Sequence, residues 1–231
     1  NKPQKMIVGT TITSENAWNY YYGLGSAGLM LGMFLCWRLG NVSYSLIFMM
    51  AAGGLFFYAQ TYKRQFLIGN LVIALLAAIV PVLPLFLQGN CYPELWLQLP
   101  WASLLLAFAI FSFVTTLIRE MIKDLQDLKG DQIQGCRTLP VVVGVNATKG
   151  IVFILLAVLI YLVSVLQAGW WTENKGLFYY FMILVQLPAF VTIILILRAK
   201  NPTGYKLAST LTKFIMLGGI VSMIMFRLTA S

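Results

Sequence analysis

The chain has 231 residues, 60% of them hydrophobic and only 10% charged, with a mean hydropathy of +0.83. A soluble domain keeps about a quarter of its residues charged, so a soluble globule, a disordered segment and a secreted disulfide scaffold are excluded and a membrane protein remains. Sixteen Lys and Arg against seven Asp and Glu give a net charge of +9 without a single histidine; neither a Ser-His nor a Cys-His pair can form, and Cys36, Cys91 and Cys136 lack zinc-ligand spacing.

Stretches of roughly 20 apolar residues are long enough to cross the hydrocarbon core as helices. In chain order they run over about Ala17 to Trp37, Tyr44 to Tyr58, Phe66 to Leu87, Leu95 to Leu117, Thr148 to Leu166, Leu177 to Leu197 and Leu207 to Phe226. The expected fold is therefore all-α, a polytopic transmembrane bundle with seven spans, in a single domain over residues 1–231. The second span is short and holds Gly53-Gly54, small residues that let a neighbouring helix approach. Pro81, Pro84 and Pro188 fall inside spans, where they kink a helix that packed neighbours then accommodate.

Seven spans place alternate loops on opposite sides. One side then receives Lys2, Lys5, Lys63, Arg64, Arg119, Lys123, Lys129, Arg137, Lys149, Arg198, Lys200, Lys206 and Lys213, and the other only Arg38, Lys175 and Arg227. By the positive-inside rule the N-terminus and the cation-rich loops are cytoplasmic. The basic balance is thus explained by anchoring beside anionic headgroups, with no nucleic acid required.

The acidic residues carry more. Glu120, Asp124, Asp127 and Asp131 follow the i, i+4, i+7, i+11 spacing of one helix face. Like charges one turn apart repel, and a divalent cation would relieve them: Mg²⁺ takes one or two carboxylates and fills its other positions with water or phosphate oxygens. Arg119 and Lys123 stand within the stripe, Arg137 follows it, and Lys63-Arg64 close another cytoplasmic loop. Carboxylates for metal beside cations for phosphate are the parts of a diphosphate site. The bland alternative is a solvated amphipathic helix whose charges pair among themselves. Against it, the stripe continues directly from the apolar run ending at Leu117, so its first turn lies near membrane depth, where ionisable groups are costly and functional.

The segment Arg119-Glu120 through Lys123-Asp124, Asp127, Asp131, Gly135 and Thr138-Leu139-Pro140 resembles the second aspartate-rich motif of the UbiA superfamily of intramembrane prenyltransferases. Tyr58 through Lys63-Arg64 is similar to the family's Tyr/Lys motif, followed by Gly69-Asn70, and Asn1 through Gly9 is similar to the stretch after its first aspartate-rich motif. The resemblance covers essentially the whole chain. It implies that the seven spans are the last seven of nine, and that the NDxxDxxxDxxN motif, of which Asn1 would be the terminal asparagine, lies upstream; without it, these 231 residues are expected to be inactive.

The resemblance further implies transfer of a prenyl group from an isoprenoid diphosphate, with Mg²⁺ as cofactor held by Asp124, Asp127 and Asp131. Lys63, Arg119, Lys123 and Arg137 would serve the diphosphate, Tyr58, Arg64 and Asn70 the substrate pocket, and Glu120 an orienting role. No protein nucleophile is needed, which suits a chain without histidine. Phe56, Phe57, Tyr58, Trp101, Phe108 and Phe111 are candidates for an aromatic chamber around the prenyl tail. The acceptor is a lipid phosphate, as in relatives that act on geranylgeranylglyceryl phosphate, or an aromatic quinone precursor; Lys5, Arg198, Lys200 and Lys206 are cations left over for an acceptor phosphate. The setting is the inner membrane of a prokaryotic cell, with the site toward the cytoplasm. Two rivals of another class are a retinal-type seven-helix protein using Lys213 and a transporter. The internal N-terminus and the shallow position of Lys213 disfavour the first, and the scarcity of mid-span charges disfavours the second.

Overall fold

The computed structural model describes residues 7–87, 101–169 and 174–229. Among these residues the chain forms helices α1 (Ser14–Arg38), α2 (Ser45–Gln60), α3 (Ile68–Leu87), α4 (Ala102–Ile133), α5 (Leu139–Val143), α6 (Val145–Ala168), α7 (Lys175–Phe181), α8 (Leu187–Arg198) and α9 (Pro202–Thr229), with no strand among them. A π-helical turn, Met182–Gln186, joins α7 to α8, so the two run on as one membrane-length rod. The all-α polytopic bundle expected from composition is what forms.

Six of the expected spans appear as helices long and apolar enough to cross a bilayer. The seventh, α1, is 25 residues long but starts with Ser14-Glu15-Asn16 and is diluted by glycines, so it falls short of the apolar stretch that the other six contain. Most helices reach beyond their apolar runs. Leu207 to Phe226, for example, becomes Pro202–Thr229, because hydropathy marks the part in lipid while intrahelical hydrogen bonds carry the helix on until a cap intervenes.

The core lies around α4, against which α3, α6 and α9 pack, with α8 closing between α6 and α9; α1 packs chiefly on α2. Ile118, Ile122, Val152, Leu156, Ile196 and Ile215 are fully or almost fully buried there. Small residues bring α3 and α4 close: Ala74 is fully buried, and Ser112 donates its hydroxyl to the Ala77 carbonyl at 3.0 Å. At 32 residues α4 is about 48 Å long, well over the roughly 30 Å of a hydrocarbon core, so its last turns project past the membrane without a break.

Pro188 produces a wider helical turn rather than a sharp bend. Its missing N–H removes the donor that would serve the Leu184 carbonyl in an α-helix, and the Leu187 N–H bonds the Met182 carbonyl five residues back; the Leu184 oxygen lies 3.1 Å from where a Cβ on Gly218 of α9 would stand. Tyr180 donates its hydroxyl to the Gly218 carbonyl at 2.7 Å, fixing α7 to α9 at the same level.

Candidate active site

The carboxylate stripe occupies the projecting end of α4, where the charged sequence Arg119 to Asp131 extends the apolar helix for about three and a half turns. That helix ends at Gly135, whose φ of 67° is the left-handed conformation glycine adopts without strain. The Cys136 N–H then bonds the Asp131 carbonyl at 2.9 Å and the Gly135 N–H the Gln132 carbonyl at 3.3 Å, which is a Schellman cap. The chain turns back at once. The Arg137 N–H donates to the Arg64 carbonyl at 2.8 Å, and the buried Thr138 hydroxyl donates to Asp131 Oδ2 at 3.1 Å.

These contacts tie two segments far apart in sequence. Lys63 and Arg64 lie in a 3₁₀ turn, Tyr62–Arg64, between α2 and α3. Leu67 follows with φ 58°, a conformation that costs a side-chain-bearing residue roughly 1–3 kcal/mol. Gly69 is packed so closely under the turn that a Cβ would stand 2.6 Å from the Tyr62 carbonyl oxygen. One residue on, buried Asn70 donates Nδ2–H to Asp124 Oδ2 at 2.8 Å across the α3–α4 interface.

Each sequence-derived residue can now be placed. Asp124 faces Asn70 and lies within electrostatic reach of Glu120, Asp131 and Lys123. Asp127 is half-buried on the same face, one turn on, and Asp131 is held by Thr138. Arg119 and Lys123 both turn to Glu120: Arg119 Nη1 to Oε1 at 2.7 Å, Lys123 Nζ to Oε2 at 2.9 Å and to Oε1 at 3.1 Å. Tyr58, half-buried at the end of α2, lies within electrostatic reach of Glu120, Asp124 and Arg119. Lys63, Arg64 and Arg137 have exposed side chains, and Arg64 is tied to the site through its backbone carbonyl. Lys2, Lys5 and the rest of 1–6 lie outside the described residues, as do Cys91 and the loop acids Glu94 and Glu173. Lys213 is exposed on α9 and not enclosed as a chromophore lysine would be.

The six aromatics singled out as chamber candidates do not share one cavity. Phe108 and Phe111 line an apolar cavity of ≈ 480 Å³ with Leu159, Phe181, Gly219 and Phe226. By helical count, however, Leu104, Phe108 and Phe111 stand about 160–220° round α4 from Asp124, and the cavity lies toward the opposite end of the bundle from the stripe. It is a compartment separate from the carboxylates. Phe56 instead lines a smaller cavity of ≈ 270 Å³ with Trp18 and Tyr21, between α1 and α2.

Two contributors escaped the sequence reading. Thr138 was visible only as part of a motif, although a threonine just past a helix-ending Gly135 is well placed to reach back to the last turn. Thr116 has the buried side-chain oxygen that no described group satisfies, and nothing in its sequence position marks it.

Among the described residues no three carboxylates or cysteines gather into a cation cage. Asp124, Asp127 and Asp131 stand one turn apart along one face, a donor set that fits Mg²⁺ shared with substrate phosphate and water, not an all-protein site.

The UbiA prenyltransferase family model matches residues 1–217. The chain belongs to this family. Digeranylgeranylglyceryl phosphate synthase of Sulfurisphaera tokodaii is 32% identical over 160 residues, which are 69% of this chain and 53% of that protein. Proteins of the same name from Saccharolobus solfataricus and Thermococcus kodakarensis are 28% identical over 225 residues (97% of this chain, 73% of the relative) and 26% over 230 (99% and 75%). In the first of these matches the chain spans about half of the relative's length. No solved structure matches it.

Proposed function

We propose that this chain carries the diphosphate-handling part of a Mg²⁺-dependent prenyltransferase that moves a geranylgeranyl group from its diphosphate to geranylgeranylglyceryl phosphate. The observation that carries the reading is the convergence, through the Asn70–Asp124 and Arg137–Arg64 hydrogen bonds, of the stripe of α4 and the Lys63-Arg64 turn at one end of the bundle. The relatives named for digeranylgeranylglyceryl phosphate support the choice of substrates.

Asp124, Asp127 and Asp131 hold the metal, with Asn70 orienting the first and Thr138 the last. When bound, the metal neutralises charge that develops on the leaving diphosphate. Arg119, Lys123, Lys63 and Arg137 add positive charge around the phosphates, and Tyr58 stands within electrostatic reach of Asp124 and Arg119. The C–O bond of the allylic diphosphate breaks with its electron pair on the diphosphate, the acceptor hydroxyl oxygen bonds the freed carbon, and its proton leaves with the diphosphate. Packing of the apolar helices keeps water from capturing the cationic carbon first. The site faces the cytoplasm of a prokaryotic cell across its inner membrane.

The test is turnover by the full-length gene product with geranylgeranyl diphosphate and each acceptor offered separately. Lipid-phosphate product is expected, with Asp127→Asn lowering kcat about a hundredfold or more and chelation of Mg²⁺ abolishing it. Product from hydroxybenzoate or dihydroxynaphthoate alone would make the acceptor an aromatic ring, and undiminished turnover in Asp127→Asn would remove the aspartates from the mechanism.

A further inference from the structure

Glu120 sits inside the acidic stripe but does not behave as its other members do. It is only 7% exposed, and its carboxylate is divided between two cations, Arg119 at 2.7 Å and Lys123 at 2.9 and 3.1 Å. Lys123 has an alternative. Asp127 stands four residues further along the helix, within ordinary reach of an i, i+4 pair, and Asp124 is its immediate neighbour in sequence. The lysine takes Glu120 for two reasons: a carboxylate N-terminal to its lysine pairs better than one C-terminal to it, and the less exposed carboxylate works in a medium that screens the attraction less.

Thr116 adds an independent observation. It lies one turn below Glu120, on the side toward which a glutamate side chain leans in a helix. Its buried hydroxyl has no partner among the described residues, whereas buried Thr115, Thr138, Thr148, Thr192 and Thr212 all have one. The Glu120 carboxylate is therefore committed to the cations and leaves the hydroxyl beneath it unserved.

From this geometry we infer that Glu120 is a positioning residue that draws Arg119 and Lys123 to itself and away from the aspartates, so that Asp127 stays open to a divalent cation. One carboxylate between two cations also leaves net positive charge beside the stripe, which suits an incoming diphosphate. Without Glu120 the carboxylates left to Lys123 are Asp124, already within its electrostatic reach, and Asp127 at the i+4 position, and an ammonium seated on either competes directly with metal. The inference rests on the assignment of the aspartates to Mg²⁺ made above.

The experiment measures Mn²⁺ binding by electron paramagnetic resonance on the purified full-length gene product, with no diphosphate present, so that phosphate affinity does not enter the result. Glu120→Gln is expected to raise the half-saturating Mn²⁺ concentration about tenfold, and Glu120→Asp to raise it less. The double variant Glu120→Gln/Lys123→Gln is expected to return it toward the wild-type value, because the competing cation is gone. A purely architectural Glu120 predicts no such recovery. Equal Mn²⁺ binding in Glu120→Gln, or a double variant no better than the single one, overturns the inference alone. Should the wild-type protein bind Mn²⁺ only once inorganic diphosphate is added, the same variants are compared at a fixed diphosphate concentration; failure to bind Mn²⁺ even then overturns the aspartate assignment and this inference with it. If Glu120→Gln does not fold, the same comparison between Glu120→Asp and Glu120→Asp/Lys123→Gln decides the matter.

Discussion

Asn70 reaches Asp124 across a helix interface, and its amide can do two things for that carboxylate: fix its rotamer and supply a hydrogen bond while leaving the second oxygen free. A hydrogen bond to a charged group contributes about 1.5–3 kcal/mol. Asn70→Ala is accordingly expected to lower kcat/KM about tenfold or more in steady-state assays at saturating Mg²⁺, with the helix content seen by circular dichroism unchanged. A variant that keeps full activity would show that Asp124 needs no orienting. At this scale the acidic stripe and the Lys63-Arg64 loop stood out in the sequence by type and spacing, whereas Asn70 was marked only by the resemblance to the family's motif. The Arg137–Arg64 bond was not, since it joins an N–H to a carbonyl and any two residues could have made it. Thr116 was hidden for a related reason: a helical threonine usually bonds the carbonyl four residues back, and only coordinates show the one that does not.

Helix periodicity made the elements readable and left their joints obscure. Pro188 announced a disturbance in its span, but whether it would kink the helix or widen it depended on Gly218, in a different helix, having no side chain at the height of the Leu184 carbonyl. The neighbouring Gly219 yields a prediction at this scale. The Phe111 ring of α4 covers it so closely that a Cβ there would lie 2.1 Å from Phe111 Cε1. Gly219→Ala must push the ring toward the ≈ 480 Å³ cavity that both residues line, and overpacking of this kind costs about 1–3 kcal/mol. Thermal unfolding in detergent is expected to show a lowered midpoint for Gly219→Ala and substantial recovery in Gly219→Ala/Phe111→Leu. No loss in the single variant would mean that the α4–α9 contact is looser than it is drawn. The carboxylates are remote from this contact and on the other side of α4, so Mn²⁺ binding by Gly219→Ala should match that of the wild type.

For the whole molecule, charge distribution and the hydrogen bonds that join loops bear on the same question, which loops lie together at one end of the bundle. The 13 to 3 division of cations came from sequence position alone, and the structure joins several of the 13 directly. Arg137 bonds the Arg64 carbonyl, while Lys149 donates to the Ala199 carbonyl at 2.6 Å and lies over the Tyr205 ring beside Lys200. Loops connected in this way share one face of the membrane, so a wrong span count between them would have separated residues that touch. What charge counting could not supply was the packing order, with α4 at the centre and α1 held chiefly by α2, because lipid-facing and helix-facing positions are both apolar. The remaining prediction is orientation. In a background without Cys36, Cys91 and Cys136, single cysteines replace Lys129 and Lys175, both exposed and at opposite ends of the bundle. With intact cells and a membrane-impermeant maleimide, the cysteine at 175 is expected to react and the one at 129 to react only after permeabilisation. The opposite pattern would turn the protein over in the membrane and set the aspartates against the outer surface. Labelling of both in intact cells would place an odd number of crossings wrongly between them, and the spans from α4 to α7 would then have to be reassigned.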